Sequence, residues 1–477
     1  MSDQEYDLER RPLDPSPEDM RQMGYQLVDQ MVRHSESLSS QPVIRTSTPD
    51  ELREVVDEPL PEQPCSPADC VDDCFERIIP GMTRVNHPRF HAYIPAPSSF
   101  AGSLGLMIAA ATNPFAGTWL GGATFAAMEV IVIRWIAEML GYNNDATGIL
   151  TSGGSMANLT ALAAARAKWK DLKGDRCGEH PTIYVSAEGH ASVTRAANVL
   201  GFPPTSIRVV PVNNQYRLDT EVLRQMIQRD CDDGCQPVCV VGNAGTTNLG
   251  VIDPLSQLAD ICQSYKTWFH VDAAYGGFAA LTERGRILLD GMNRADSLTL
   301  DPHKWLYCPM GTGCILVRDE AALRTAFSTS GDYLRDLPPE HVNLFEYGPE
   351  LSRPARALPV WMVIRSAGRR QLADQIESDM RLARMAAELL SADDRFDVIP
   401  PELSVVGFRH RLRAGESESD RSERDAALMQ RILDSGDLML STTLINARST
   451  LRMVVMNHRT TEADIRFSVG RIREFGR

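Results

Sequence analysis

The chain has almost no lysine. Lys168, Lys170, Lys173, Lys266 and Lys304 are its five lysines, and with 49 basic residues in all the other 44 are arginine. A guanidinium keeps its proton, whereas an amine can lose one and attack a carbonyl. A lysine inside an apolar stretch of such a chain is therefore a candidate for chemistry that arginine cannot do. Basic residues are also outnumbered: 63 acidic side chains leave a net charge of −14. That charge repels phosphate backbones and anionic lipid, so neither nucleic acid nor a membrane is an expected partner. Long apolar runs are missing too. The stretches Leu104–Ala111 and Val130–Ile133 fall well short of the ~20 residues of a membrane span. Met1–Pro15 is polar and acidic, unlike a secretory leader, so a cytoplasmic location is expected. The ten cysteines form no framework. Cys65, Cys70 and Cys74, and again Cys231, Cys235 and Cys239, lack a CxxC pair or a histidine at zinc spacing, so reduced thiols and no metal are expected.

What is present is ordinary globular chemistry, with 43% apolar and 23% charged residues. A length of 477 residues fits two or three structural units. Residues 1–80 read as an arm: Ser16 caps a helix with the apolar stripe Met20, Met23, Leu27, Met31, and Pro49–Pro67 reads as a linker or wrapped loop. Its expected role is dimerisation. Residues 81–359 form the large domain. Ala126–Leu140 reads as a buried helix closed by Gly141. Seven short β-branched runs follow: Gly148–Thr151, Thr182–Ser186, Ser206–Val212, Val238–Gly242, Thr267–Asp272, Ser297–Leu300 and Gly313–Val317. Helical stretches alternate with them, at Ala157–Lys170, Ala191–Leu200, Thr220–Arg229 and Pro254–Tyr265. That alternation predicts an α/β fold with a mainly parallel sheet covered on both faces. The polar stretch from Gly331 to Pro359 is too long for a plain connection and reads as an active-site loop or lid. Residues 360–477 read as a small α+β domain: a helix over Val360–Leu390, strands at Phe396–Ile399, Ser404–His410 and Leu451–Val455, and a last helix opened by a Thr461/Asp464 capping box. Glu416–Arg424 reads as a solvated loop.

Four features carry chemistry. Ile149-Leu150-Thr151 feeds the loop Ser152-Gly153-Gly154-Ser155 at a helix start, an anion site built from backbone N–H groups and the helix dipole. It is neither GxGxxG nor GxxxxGK[ST], which disfavours dinucleotides and nucleoside triphosphates. Trp268-Phe269-His270-Val271-Asp272 ends a buried strand on a carboxylate, where open α/β sheets bind ligands; Asp272 suits a protonated ring nitrogen. Asp301-Pro302-His303-Lys304-Trp305 places the distinctive lysine after another apolar run. His190 and the small-residue loop Asn243-Ala244-Gly245-Thr246-Thr247 lie at further strand ends. A phosphate loop, a planar residue, a strand-end Asp and then a Lys fit pyridoxal phosphate.

In this order the motifs His190-Ala191-Ser192, Gly245-Thr246-Thr247, His270-Val271-Asp272-Ala273-Ala274-Tyr275 and Asp301-Pro302-His303-Lys304-Trp305 resemble the group II pyridoxal-phosphate decarboxylases. That family includes aromatic-L-amino-acid, glutamate and diaminobutyrate decarboxylases. The segment His87-Pro88-Arg89-Phe90-His91-Ala92-Tyr93 resembles the aromatic branch most. The resemblance implies fold type I, with a seven-stranded large domain. It also implies a homodimer whose active sites are shared between subunits. Carried over residue by residue, Lys304 is the Schiff-base lysine, Asp272 the ring-nitrogen partner, His190 the stacking histidine and Ala274 the opposite ring face. Gly154, Ser155 and His303 would meet the phosphate, with Asn243, Asp301 and Ser352 also on the cofactor side. Tyr333 matches the loop tyrosine that protonates the substrate's α-carbon. Tyr93, Ile94, Pro95 and Ala96 fall at substrate-pocket positions, and Phe115 and Gly117 at pocket positions that the partner subunit supplies.

The chain departs from the aromatic pattern in places. Asn243 stands where a ring-side threonine is expected, and Asp301 where the animal aromatic enzymes have asparagine. Ile94 and Ala96 replace Phe and Thr. The expected activity is decarboxylation of an L-amino acid, with an aromatic side chain first. Aliphatic, acidic or diamino substrates, and the decarboxylation-dependent aldehyde synthases, are the alternatives. A phenylalanine at the loop-tyrosine position marks the aldehyde variant in plant relatives, and this chain has Tyr333.

Overall fold

The structure, a computed structural model, describes residues 14–143, 145–173, 180–328 and 341–477. Its centre is a seven-stranded sheet: β1 (Thr147–Thr151), β2 (Pro181–Ser186), β3 (Ile207–Val210), β4 (Gln236–Asn243), β5 (Trp268–Asp272), β6 (Ser297–Leu300) and β7 (Gly313–Val317). The spatial order is β1-β7-β6-β5-β4-β2-β3. β7 runs antiparallel to both neighbours and the remaining pairs are parallel. All seven expected strands are present, displaced at their ends by two residues at most.

The strands are apolar on both faces because both faces are covered. Val240 packs with Phe269, Val271 and Leu298 under the helices Trp119–Leu140 and Leu255–Tyr265. The next residue, Val241, joins Ile149, Ile183 and Ile315 under the helices Gly154–Lys173 and Ala191–Val199. Successive side chains of a strand point to opposite faces, which is why neighbours in sequence sit in different core clusters. Beyond this sheet, β8 (Phe396–Ile399), β9 (Val405–His410), β10 (Ser441–Ile445) and β11 (Arg448–Val454) make an antiparallel sheet ordered β10-β11-β9-β8. It packs on the helices Ala357–Ser391, Glu418–Ser435 and Glu462–Phe475 through Leu382, Phe408, Leu451, Leu428 and Ile465.

Several elements differ from the sequence expectation. Pro49–Val56 is a helix, because Thr48 and Glu51 make a reciprocal capping box and Pro49 opens the first turn. Glu418–Ser435 is also a helix, opened by a Ser417/Asp420 capping box in a stretch expected to be loop. Phe100–Thr112 forms a helix, and β10 adds an edge strand that its polar sequence conceals. The buried helix expected over Ala126–Leu140 starts at Trp119, with a break in its geometry at Gly122. That helix is long and apolar enough by composition to cross a membrane. Here Val132, Ile133, Ile136 and Ala137 belong to the main core. Its Glu129 makes a buried ion pair with Arg353 at 2.8 Å. Glu129 Oε1 also accepts from the Leu150 N–H at 2.8 Å, which anchors the end of β1.

Candidate active site

The C-terminal ends of β1, β4, β5 and β6 open onto one cleft of about 770 Å³. β1 leads into Ser152-Gly153, and the helix beginning at Gly154 leaves the Gly154 and Ser155 N–H groups without an intrahelical acceptor, while the Met156 and Ala157 N–H groups bond the Gly153 carbonyl. Gly154 is needed for closeness: a Cβ there would sit 2.9 Å from Asp301 Oδ2 and 3.2 Å from the Ala274 Cβ. β5 ends in Asp272, whose carboxylate accepts from the Asn158 side-chain amide at 2.9 Å and from the Ala274 N–H at 3.2 Å. After β6 the chain turns through Asp301, His303 and Lys304. Lys304 Nζ lies 2.9 Å from Asp301 Oδ2. His303 donates Nδ1–H to the Thr312 carbonyl at 2.8 Å, which turns Nε2 toward Asp301 at 3.7 Å.

The lysine-bearing turn is held from below by a buried carboxylate. Asp379 accepts from the Trp305 indole at 3.1 Å and the Tyr307 hydroxyl at 2.7 Å. Burial without a cation pushes Asp379 up to about 7, even though the hydrogen bonds from Tyr307, Trp305 and Gln375 pull the other way. Trp305 also packs against Tyr275, with ring centroids 4.9 Å apart and planes tilted by 31°. Lys304 therefore stands on a rigid platform while its amine reaches the cleft.

Of the residues singled out from sequence, Tyr93, Ile94, Pro95, Gly154, Ser155, His190, Asn243, Asp272, Ala274, Asp301, His303 and Lys304 all line this cleft. Three do not. Ala96 is buried behind it, while Phe115 and Ser352 are exposed elsewhere. The last two share a patch: a Cβ on Gly117 would fall 1.8 Å from the Leu351 carbonyl, so the backbone beside Phe115 lies against the backbone beside Ser352. Tyr333 lies outside the described residues. Asn243 lines the cleft, but its side-chain amide donates to Asp253 at 2.7 Å, so that amide is committed away from a ring.

Sequence reasoning missed Asn158 and Arg452. Arg452 reaches into the cleft from β11, donating to the carbonyls of Asn248 at 2.7 Å and Thr247 at 2.5 Å and to Ser441 Oγ at 3.0 Å. Among the described residues no carboxylate pairs with it, and burial lowers it to about 10. The lining also includes the apolar side chains Val85, Phe90, Ile94, Met310 and Met439.

These residues fit pyridoxal phosphate. A single amine, a strand-end carboxylate and a glycine-opened helix N-terminus converge on one cavity. Asp301 Oδ1 is also buried there without a partner. Such a constellation supplies an imine-forming group, a charge for a ring nitrogen and a phosphate cradle.

Comparison with known proteins agrees with this chemistry. The chain is 36% identical to the aromatic-L-amino-acid decarboxylase of Bacillus atrophaeus, covering 94% of each chain. It is 31% identical to tyrosine decarboxylase 2 of Narcissus pseudonarcissus, over 96% of this chain and 93% of that one. The crystal structure of Oryza sativa TDC with PLP and tryptamine superposes with a TM-score of 0.92, at 29% identity, covering 98% of this chain and 99% of that one. The pyridoxal-dependent decarboxylase conserved domain matches residues 49–411, and the chain belongs to that family, as a pyridoxal-phosphate enzyme that removes the carboxyl group of an amino acid.

Proposed function

We propose that the protein converts an aromatic L-amino acid into its amine and CO₂. The observation that carries this reading is the mixed lining of the cleft: the polar groups for the cofactor share it with the apolar side chains Val85, Phe90, Ile94, Met310 and Met439. A flat apolar side chain packs on those five residues, whereas an acidic or amino side chain would bury a charge against them. The relatives named above for aromatic and tyrosine decarboxylation support the same substrate class.

When bound, pyridoxal phosphate supplies the sink for the electron pair left behind by CO₂. Lys304 is the amine that would hold the cofactor. Asp272 would hold a proton on its ring nitrogen, keeping the ring electron-poor. The helix start at Gly154 and Ser155, with His303, would hold the phosphate. His190 and Ala274 would lie against the ring. Arg452 gives the cleft a cation suited to a substrate carboxylate. Tyr333 returns the proton to the α-carbon, which selects amine over aldehyde. A second copy of the chain would bring Phe115 and Ser352 to the neighbouring cleft, as a shared active site requires. The test is amine formation, followed by mass spectrometry, across tryptophan, tyrosine, phenylalanine, valine, ornithine, glutamate and diaminobutyrate. Aromatic substrates are expected to lead in kcat/KM by about 100-fold, near 3 kcal/mol. Preference for glutamate or diaminobutyrate would reject the assignment.

A further inference from the structure

A buried hydrogen-bond chain runs under the cleft, and its carboxylate end sets its direction. Trp268 donates its indole N–H to Ser297 Oγ at 2.8 Å. Ser297 Oγ meets His270 Nδ1 at 2.8 Å, His270 Nε2 meets Asn158 Oδ1 at 3.0 Å, and Asn158 Nδ2 meets Asp272 Oδ2 at 2.9 Å. An indole nitrogen only donates and a carboxylate only accepts. The Asn158 NH₂ must therefore face Asp272, its oxygen takes the His270 Nε2–H, and a neutral imidazole then accepts at Nδ1 from Ser297. With a neutral imidazole, no other assignment satisfies all four bonds. Ser297, His270 and Asn158 are all buried, so water cannot repair a wrong one. His270 must be neutral for this, and burial keeps it so by lowering it to about 4.

The chain branches at Asn158. Its second N–H donates to Ser192 Oγ at 2.8 Å. The Ser192 backbone N–H donates to His190 Nδ1 at 3.3 Å, so that nitrogen accepts, and the Ser192 hydroxyl 2.7 Å from it donates as well. His190 Nδ1 is therefore a lone pair with two donors on it.

We infer that Asn158 is a positioning residue that aims Asp272 and His190 together, and that it fixes His190 as the tautomer with its proton on Nε2. One amide thus orients both groups assigned to the cofactor ring. Neutral His190 then presents a donor to the cleft, where a substrate oxygen can accept it. The inference rests on the cofactor reading for its consequence, but the tautomer itself can be measured with or without cofactor.

The experiment is a ¹⁵N-histidine spectrum of the full chain, loaded with and stripped of pyridoxal phosphate, with His190 assigned through His190→Gln. The expected result is a protonated Nε2 and a bare Nδ1 at His190 in both forms. Asn158→Leu is expected to scramble that tautomer and to weaken pyridoxal phosphate binding at least about tenfold, equivalent to one hydrogen bond, with unchanged circular dichroism. His270→Gln, which can still donate to Asn158, should hold the tautomer and bind cofactor within about threefold of the unaltered chain. A proton on Nδ1 of His190 in the unaltered protein would overturn the inference, whether or not the variants fold. So would an Asn158→Leu protein with the same tautomer and the same cofactor affinity. A correct tautomer in a chain that takes up no pyridoxal phosphate would instead overturn the functional reading and leave the hydrogen-bond assignment supported.

Discussion

In the proposed mechanism the electronics of the site turn on Asp272. It closes β5 with its carboxylate steadied by Asn158 and the Ala274 N–H. Asp272→Asn keeps the shape and removes the charge that would hold a proton on a ring nitrogen. A loss of about 10²–10⁴ in kcat is expected, with cofactor still bound, because the charge acts mainly where the transition state develops. Stopped-flow turnover checks this, and a near-normal rate would remove Asp272 from that role. Lys304 and Asp272 were legible in the sequence for local reasons. One is a rare lysine beside apolar residues, and the other is a carboxylate ending an apolar run. Asn158 was not legible, because its partners His270 and Asp272 lie more than a hundred residues along the chain. Arg452 was hidden for the same reason among 44 arginines. The Phe115 and Ser352 assignments came from resemblance alone, and within one chain they lie apart from the cleft.

At the scale of elements, strands were easier to read than helices. Short apolar runs that end in Asn243 and Asp272, or run straight into Asp301, mark β4, β5 and β6. The helices at Pro49 and Glu418 carried the same capping-box signal as Thr461/Asp464, but their charged sequences masked the helical stripe. The arm is the element with the plainest consequence. Its helix Pro17–Ser37 has no buried residue, with Met20 43%, Tyr25 72% and Val32 41% exposed. The helix Phe100–Thr112 likewise exposes Leu106, Met107 and Ile108. Faces of this kind gain stability by covering one another at about 25 cal/mol per Å². Deleting residues 1–80 is expected to give monomeric or insoluble protein without activity, read by light scattering on a sizing column. A soluble, active dimer from the shortened chain would contradict the arm's role in assembly.

At the scale of the whole molecule, the fold carries a set of histidines held neutral by burial. His87, His91, His270 and His458 are each lowered to about 4, with desolvation as the leading cause. Each binds its proton more weakly folded than unfolded. The stability they add is complete above about pH 6.5 and is lost as pH falls toward 4. For His91 and His270 this amounts to roughly 2–3 kcal/mol apiece at the low end. Asp379, raised to about 7, acts in the opposite sense: it favours the fold at low pH and loses that contribution as pH rises through 7. The four histidines, joined by His34 and opposed by Asp253, Asp296 and Asp379, predict a melting temperature that falls between pH 6.5 and 4, a smaller fall in His91→Gln, and no such fall if the histidines titrate normally. The measurement that bears most directly on the central claim uses the scarcity of lysine. Borohydride reduction of the cofactor-loaded protein, followed by peptide mass spectrometry, reports which amine carries pyridoxal phosphate. The adduct is expected on Lys304 and on none of Lys168, Lys170, Lys173 or Lys266, and Lys304→Ala should lose both the adduct and CO₂ release from substrate. An adduct on another lysine, or turnover retained in Lys304→Ala, would contradict it.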